Sequence, residues 1–325
     1  MGAAVAERWS QESTVGLLLI GLIAVFAITG TNFATAGNAA ELGREAAVVG
    51  LIALGLTPVI LAGGIDLSVA GMVGLASVAL GLLWRDVGLP VWIAAVGAVA
   101  CGAAGGLLNG VLVTRLRLPA LIVTLGTWSL YRGLAEGLTR GVDNVTGFPG
   151  EFLVLGQGYL GGAVPVQVPL VALIAAALWL ALHRMPWGRE LRAIGFAPEG
   201  ARHAGIQVER RLLAAYVLCG ALAGLAAVVS VSQVGQAKAD AGLGLELVAI
   251  TAVVLGGTSI FGGIGSIHGT VLGLAAIVVM RNGLRLSDGP AELAGILTGI
   301  LLVAAIALRP ILERLSRPLA VKPPH

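Results

Sequence analysis

Few side chains in this sequence have the type and spacing to do chemistry, and most stand at breaks in long apolar runs. Asp66 follows Gly63-Gly64-Ile65, and two glycines allow a sharp turn. Its carboxylate then falls at the start of a helix, where free amides stabilise it. An acid is costly at membrane depth, so Asp66 has two readings: a helix cap at a boundary, or a proton or ion site. Thr124, Thr127 and Trp128 lie in one apolar run, with Asn109 in the run before it. Thr124 and Trp128 are four residues apart and share a helical face. Hydroxyls beside an aromatic ring suit the passage of a solute that carries hydroxyls on an apolar ring. The same hydroxyls can instead bond back to their own helix. Gly256, Gly257, Thr258 and Ser259 open the richest glycine stretch. It reads either as a tight turn or as a broken helix lining a pathway, because backbone at membrane depth must face protein or a water-filled cavity.

Other chemistries lack their residues. The lysines are Lys238 and Lys322, and neither completes a phosphate-binding G-x-x-x-x-G-K-[ST] loop. The glycine stretch lacks G-x-G-x-x-G spacing, and there is no H-E-x-x-H or Cys/His cluster. Cys101 and Cys219 sit in apolar runs and read as buried structural thiols. The expectation is a chain with no catalytic residues, metal or cofactor of its own, so any ATP and magnesium would be bound by another chain. The net charge of +3 gives no reason to expect nucleic acid.

The elements that must position these residues are membrane helices. Of 325 residues, 57% are hydrophobic and 11% charged, with a mean hydropathy of +0.96; a soluble domain has about a quarter charged. The fold class expected is all-α, a single transmembrane domain over 1–325 with about ten helices of ~20 residues. They are placed near 14–31, 46–64, 66–83, 89–113, 118–135, 164–182, 212–232, 244–262, 267–284 and 290–309, with a kink at Pro58. With the N-terminus inside, 13 of the 20 basic residues fall on inner segments, among them Arg8, Arg309, Arg314, Arg317 and Lys322. That makes both termini cytoplasmic. Segment 136–163 is then an external loop with turns. Five G-x-x-x-G pairs, Gly106/Gly110, Gly133/Gly137, Gly220/Gly224, Gly269/Gly273 and Gly295/Gly299, read as close helix packing.

Segment 183–211 is a long polar interruption with six arginines against three glutamates, and it falls inside. Pro198 can open a helix there and Gly205 can close it. Glu199 stands at the positive end, with Arg202 and His203 near the negative end. From Pro198 to Ala204 the helix spans roughly 10 Å.

Four pieces, GGIDLSVAGMVGLASV (63–78), LPALIVTLGTWSLYRGL (118–134), AIGFAPEGARHAGIQV (193–208) and ELVAITAVVLGGTSIFGGIGSIHGTVLG (246–273), followed by RNGL (281–284), occur in order over most of the chain. Together they resemble the membrane permease of bacterial sugar-importing ABC transporters, of the ribose, xylose and arabinose type. The resemblance implies a multi-pass protein of the bacterial inner membrane that pairs with a second copy or a paralogue. It also implies a cytoplasmic ATP-binding subunit and a periplasmic or lipid-anchored sugar-binding protein. In that family the piece at 193–208 docks the ATPase, which carries a coupling role onto Gly195, Glu199, Ala201, Arg202, Gly205 and Ile206, with Pro198, Gly200 and His203 in the same helix. Two positions depart from the family pattern: Ala197 stands where Asn is frequent, and Gly200 where Ala is. A glycine there weakens the helix by up to ~1 kcal/mol. The outer segment 130–160 and QAKADAGLGLE (236–246) look most like the rhamnose and autoinducer-2 members, which form heterodimers. The competing reading is an ion-coupled secondary transporter, which needs ionisable groups near the midplane; Asp66 and Glu246 both stand near expected helix ends. A membrane enzyme would need clustered acid, base or metal groups.

Overall fold

The computed structural model describes the backbone of residues 2–315 except 142 and 288, and the side chains of 12–307 except 142, 288 and 291. The terminal charges Arg8, Arg309, Arg314, Arg317 and Lys322 lie outside the described side chains. In order, the elements are α1 (Gly2–Thr29), α2 (Ala36–Leu61), α3 (Val69–Arg85), α4 (Val91–Thr114) and α5 (Ala120–Leu138). There follow β1 (Val145–Thr146), α6 (Gly150–Gln157), β2 (Tyr159–Leu160), β3 (Val164–Pro165), α7 (Gln167–His183), α8 (Pro186–Phe196) and α9 (Pro198–His203). The chain continues as α10 (Val208–Val234), β4 (Gln236–Ala237), α11 (Leu245–Leu255), α12 (Ile267–Leu286) and α13 (Ala291–Leu315). Among the described residues five helices are long and apolar enough to cross a membrane: the Glu12–Thr29 part of α1, α2, α4, α10 and α12. The bent pair α7 and α8, at 68°, makes up to six.

Three expected runs fall short at one end, although α2 begins ten residues earlier than expected. α2 passes through Pro58 as one helix and stops at Leu61, α3 begins only at Val69, and α11 stops at Leu255. The reason is conformational. Gly63, Gly257, Gly262 and Gly263 have φ of 84°, 95°, 86° and 80°, left-handed values that glycine adopts freely and that end a right-handed helix. The 11 residues of α11 span about 16 Å, half of a ~30 Å hydrocarbon core.

The core is built around α10, which lies antiparallel to α4 with backbone against backbone. A methyl group at Gly102 would overlap Gly220 and Gly224, one at Gly106 would overlap Tyr216, and one at Gly110 would press on Leu213. On its other side Cys219 packs on Gly55 of α2. Cys219 is a buried free thiol, and Cys101 is free and half-buried. Gly269 and Gly273 likewise bring α12 onto Gly256 and Ala252 at the end of α11. Gly133/Gly137 and Gly295/Gly299, in contrast, face open space. Their helices, α5 and α13, leave apolar residues such as Ile122 and Val303 exposed.

These contacts define two ends. The N-terminus of α10, the C-termini of α2 and α4, and the pair α8–α9 share one end. Residues 139–166 and 232–244 share the other. The second end is more ordered than the loop expected over 136–163. It contains α6, whose Phe152 is fully buried. Phe148 stacks on Trp84 at 4.5 Å and lies 5.3 Å from Phe152, with Trp92 5.8 Å beyond. β1 pairs antiparallel with β4, and Ser232 Oγ both accepts from Gly156 N and donates to Phe152 O, each at 2.7 Å.

Candidate functional site

α9 is a single helical turn with a complete set of end signals. Pro198 occupies its first position, Glu199 its first turn, and Arg202 and His203 its last. The end is a Schellman closure: Ile206 N donates to Ala201 O at 3.0 Å and Gly205 N to Arg202 O at 2.9 Å, with Gly205 at φ 82°. Arg202 donates to Glu199 and, from Nε and Nη2, to Glu209 Oε1 at 3.1 and 2.9 Å. His203 Nδ1 lies 2.9 Å from Glu199 O. Ala201 is buried, and Ile206 packs on the core. Pro198, Glu199, Gly200 and His203 face outward. The helix therefore presents a small, rigid, polar knob whose charges are already paired.

Gly195, in α8, is where this knob meets the bundle. A methyl group there would overlap Leu61 O at the end of α2 and the backbone of Gly262 and Gly263 in the turn between α11 and α12. That turn is itself joined to α2 by Gly263 N donating to Leu61 O at 2.8 Å. Three chain segments thus converge on one glycine. Gly200 is different: a methyl group there would meet only Ala197 Cβ, at 3.4 Å. The sequence reading missed α8. Its signal was Pro186 followed by Leu191 and Ile194, three apart and both buried. Also missed were Phe196 and Phe261, which are 65% and 80% exposed beside α9; the Phe196 ring lies over Gly263. Two large uncovered rings next to a polar knob form a surface suited to a protein partner.

The second group is buried. Asp66, Ser68, Asn109 and Thr124 are all solvent-free. Asp66 Oδ1 accepts from Ser68 N at 2.9 Å and Ser68 Oγ at 2.6 Å, just ahead of α3. Asn109 Nδ2 donates to Ser68 Oγ at 2.7 Å and lies 3.4 Å from both Asp66 oxygens. Tyr131 Oη, from α5, donates to Asn109 Oδ1 at 3.3 Å, and Thr124 Oγ1 to Ile65 O at 3.2 Å. Neutral donors from two helices therefore hold the carboxylate, which caps nothing beyond Ser68. Tyr216 Oη is buried beside Gly64 and has no hydrogen-bond partner among the described residues. Thr127 bonds back to Val123 O at 3.1 Å. Trp128 stands apart from this group, over Gly71 of α3. Gly256, Gly257, Thr258 and Ser259 form the α11–α12 turn, and Thr258 Oγ1 is buried without a partner among the described residues.

Residues 38–306 match the family described as "Branched-chain amino acid transport system / permease component", and the chain belongs to it. It is thus a permease component rather than an enzyme. It is 36% identical to the autoinducer 2 import system permease protein LsrD of Klebsiella pneumoniae subsp. pneumoniae over 250 residues, 75% of each chain. The LsrD of Escherichia coli strain K12 is 36% identical over 254 residues, 76% of each. The fructose import permease protein FrcC of Rhizobium meliloti is 35% identical over 302 residues, 90% of this chain and 83% of that one.

Proposed function

We propose that this chain is the membrane permease subunit of an ABC importer for a monosaccharide or sugar-like solute. It would cross the bacterial inner membrane about ten times, with α11 a half-length element and both termini and 183–211 cytoplasmic. A separate ATPase subunit binds ATP and magnesium and docks on α9, with Phe196 and Phe261 beside it. A periplasmic or lipid-anchored binding protein delivers the solute to the opposite end. A second permease copy or a paralogue completes the pathway, and the open glycine faces of α5 and α13 offer surfaces for it. The relatives' names, autoinducer 2 and fructose import permeases, support the solute class. They favour autoinducer-2-like cargo at least as much as rhamnose. The observation that carries the coupling role is Gly195, whose contacts join α8 to α2 and to the α11–α12 turn at once.

The test is purification from a native membrane with uptake measured alongside. The chain should bring an ATPase subunit with it, and uptake should stop when ATP is removed from the reconstituted complex. One observation favours a second reading, ion-coupled transport: Asp66 is fully buried and held by neutral groups only. If no ATPase copurifies and uptake instead follows a proton or sodium gradient, that second reading replaces the first.

A further inference from the structure

A cavity of about 310 Å³ opens at the end of the molecule opposite α9. This is near the small end of the ~300–1,000 Å³ range of ligand pockets. Its walls come from the last turns of α5, the chain after it, and the β4–α11 connection. They carry Arg132, Glu136, Thr139, Asp143, Lys238 and Asp240. Arg132 Nε and Glu136 Oε1 are paired at 2.8 Å, and the Arg132 guanidinium lies 5.8 Å from the centre of the Trp128 ring. A second, much smaller space of about 10 Å³ shares Arg132, Ala239 and Asp240 with the first and is also lined by Trp128 and Gly71. The connection is seated by backbone packing: Ala239 O lies against Gly74 of α3, and Lys238 N donates to Ser77 Oγ at 3.0 Å. The cavity is therefore polar, with charged side chains of both signs in its walls.

We infer that this cavity is the first binding site on the permease for a neutral polyhydroxylated solute, with Asp240 and Lys238 bonding its hydroxyls. The chemistry favours that class for a specific reason. Both signs of charge are present and Arg132 is already paired, so a phosphate or sugar acid finds no surplus of positive charge. A hydroxyl can donate to a carboxylate and accept from an ammonium, so a polyol uses both kinds of wall. The inference rests on the proposed importer function and adds the residues that receive the cargo.

The experiment uses the complex recovered with its ATPase, reconstituted in proteoliposomes with its binding protein. Uptake of D-fructose, D-ribose, D-xylose, L-arabinose and L-rhamnose, and of autoinducer 2, is measured per mole of permease. Asp240→Asn and Lys238→Gln should each lower the maximal rate for the imported sugar by about tenfold, as expected for a lost charged hydrogen bond. The binding-protein concentration at half-maximal rate should not move, and Asp240→Glu should recover most of the rate. Unchanged maximal rates in both variants overturn the inference. So does a shift confined to the half-saturating concentration, because the residues then dock the binding protein and not the solute. A wild-type complex that imports neither any of these five sugars nor autoinducer 2 removes the sugar-importer reading, and this inference with it.

Discussion

Replacing Gly195 by alanine is the most direct probe of how α9 acts on the bundle. The added methyl meets backbone atoms of Leu61, Gly262 and Gly263, none of which can rotate away as a side-chain tip could. Overpacking of this kind costs about 1–3 kcal/mol. Leu191 and Ile194 anchor α8 in the core, so the strain is relieved by lifting one end of α8 and not by unfolding. If the docked geometry carries that strain, its population falls by a factor of about 5–150. Gly200→Ala is the matched control. Its methyl meets only Ala197 Cβ at 3.4 Å, and the helix gains up to ~1 kcal/mol. The assay is ATP-driven uptake in membrane vesicles, normalised to the amount of permease in the membrane. Gly195→Ala should stay in the membrane and lose roughly tenfold or more of its uptake, while Gly200→Ala stays near wild type. Wild-type uptake by Gly195→Ala, or equal loss in both variants, would refute the idea that force passes through this contact.

Three further outcomes follow from the same geometry. Charge reversal, by Glu199→Arg or by Arg202→Glu, should abolish uptake while leaving stability nearly unchanged, since exposed pairs contribute only ~0–1 kcal/mol; thermal unfolding in detergent alongside uptake separates the two effects. Gly205→Ala forces a side chain into the left-handed region at φ 82°, at about 1–2 kcal/mol, so α9 should fray and become protease-sensitive, with Gly205→Asn milder. In the buried group, Asn109→Leu deprives Asp66 and Ser68 of a donor and should lower stability by about 1–3 kcal/mol. Asp66→Asn keeps the shape and should retain ATP-driven uptake, and its loss would favour the ion-coupled reading.

What the sequence revealed was mostly local. The ends of α9 could be read because Pro198 and Gly205 act through their own backbones, and the structure places the helix within one residue of expectation. Helix ends elsewhere were overrun because the breaks are as apolar as the helices. Residues 256–265 contain leucine-like hydrophobicity in Ile260, Phe261 and Ile264, so the expected run extended to 262 even though a tight turn was one reading of the glycines, and the backbone angles show the turn. Tertiary facts were hidden. Asn109 stood out as a polar residue in an apolar run, but nothing in its spacing pointed to Asp66, 43 residues earlier. The five G-x-x-x-G pairs looked alike, yet Gly106/Gly110, Gly220/Gly224 and Gly269/Gly273 touch a neighbouring backbone while Gly133/Gly137 and Gly295/Gly299 touch nothing. The spacing permits close approach, and only the fold decides which helices use it.

The pattern of used and unused glycines bears on mechanism. Where α4 and α10 meet, backbone lies on backbone, and a close-packed contact of that kind resists deformation. α2 joins the same block through Gly55 and Cys219, and α9 is tied to it through buried Ala201 and Val208. A displacement of α9 would therefore move α2, α4 and α10 together. α5 is held differently: its contact with α3 passes through Gly71 and Trp128, and its remaining glycines are free. α5 is also tied to its neighbours by side chains: Tyr131 Oη donates to Gly105 O and Asn109 Oδ1 of α4, and Thr124 Oγ1 to Ile65 O. On the proposed docking role of α9, a push received there would reach α5 through α3 and α4, the helices on which it packs.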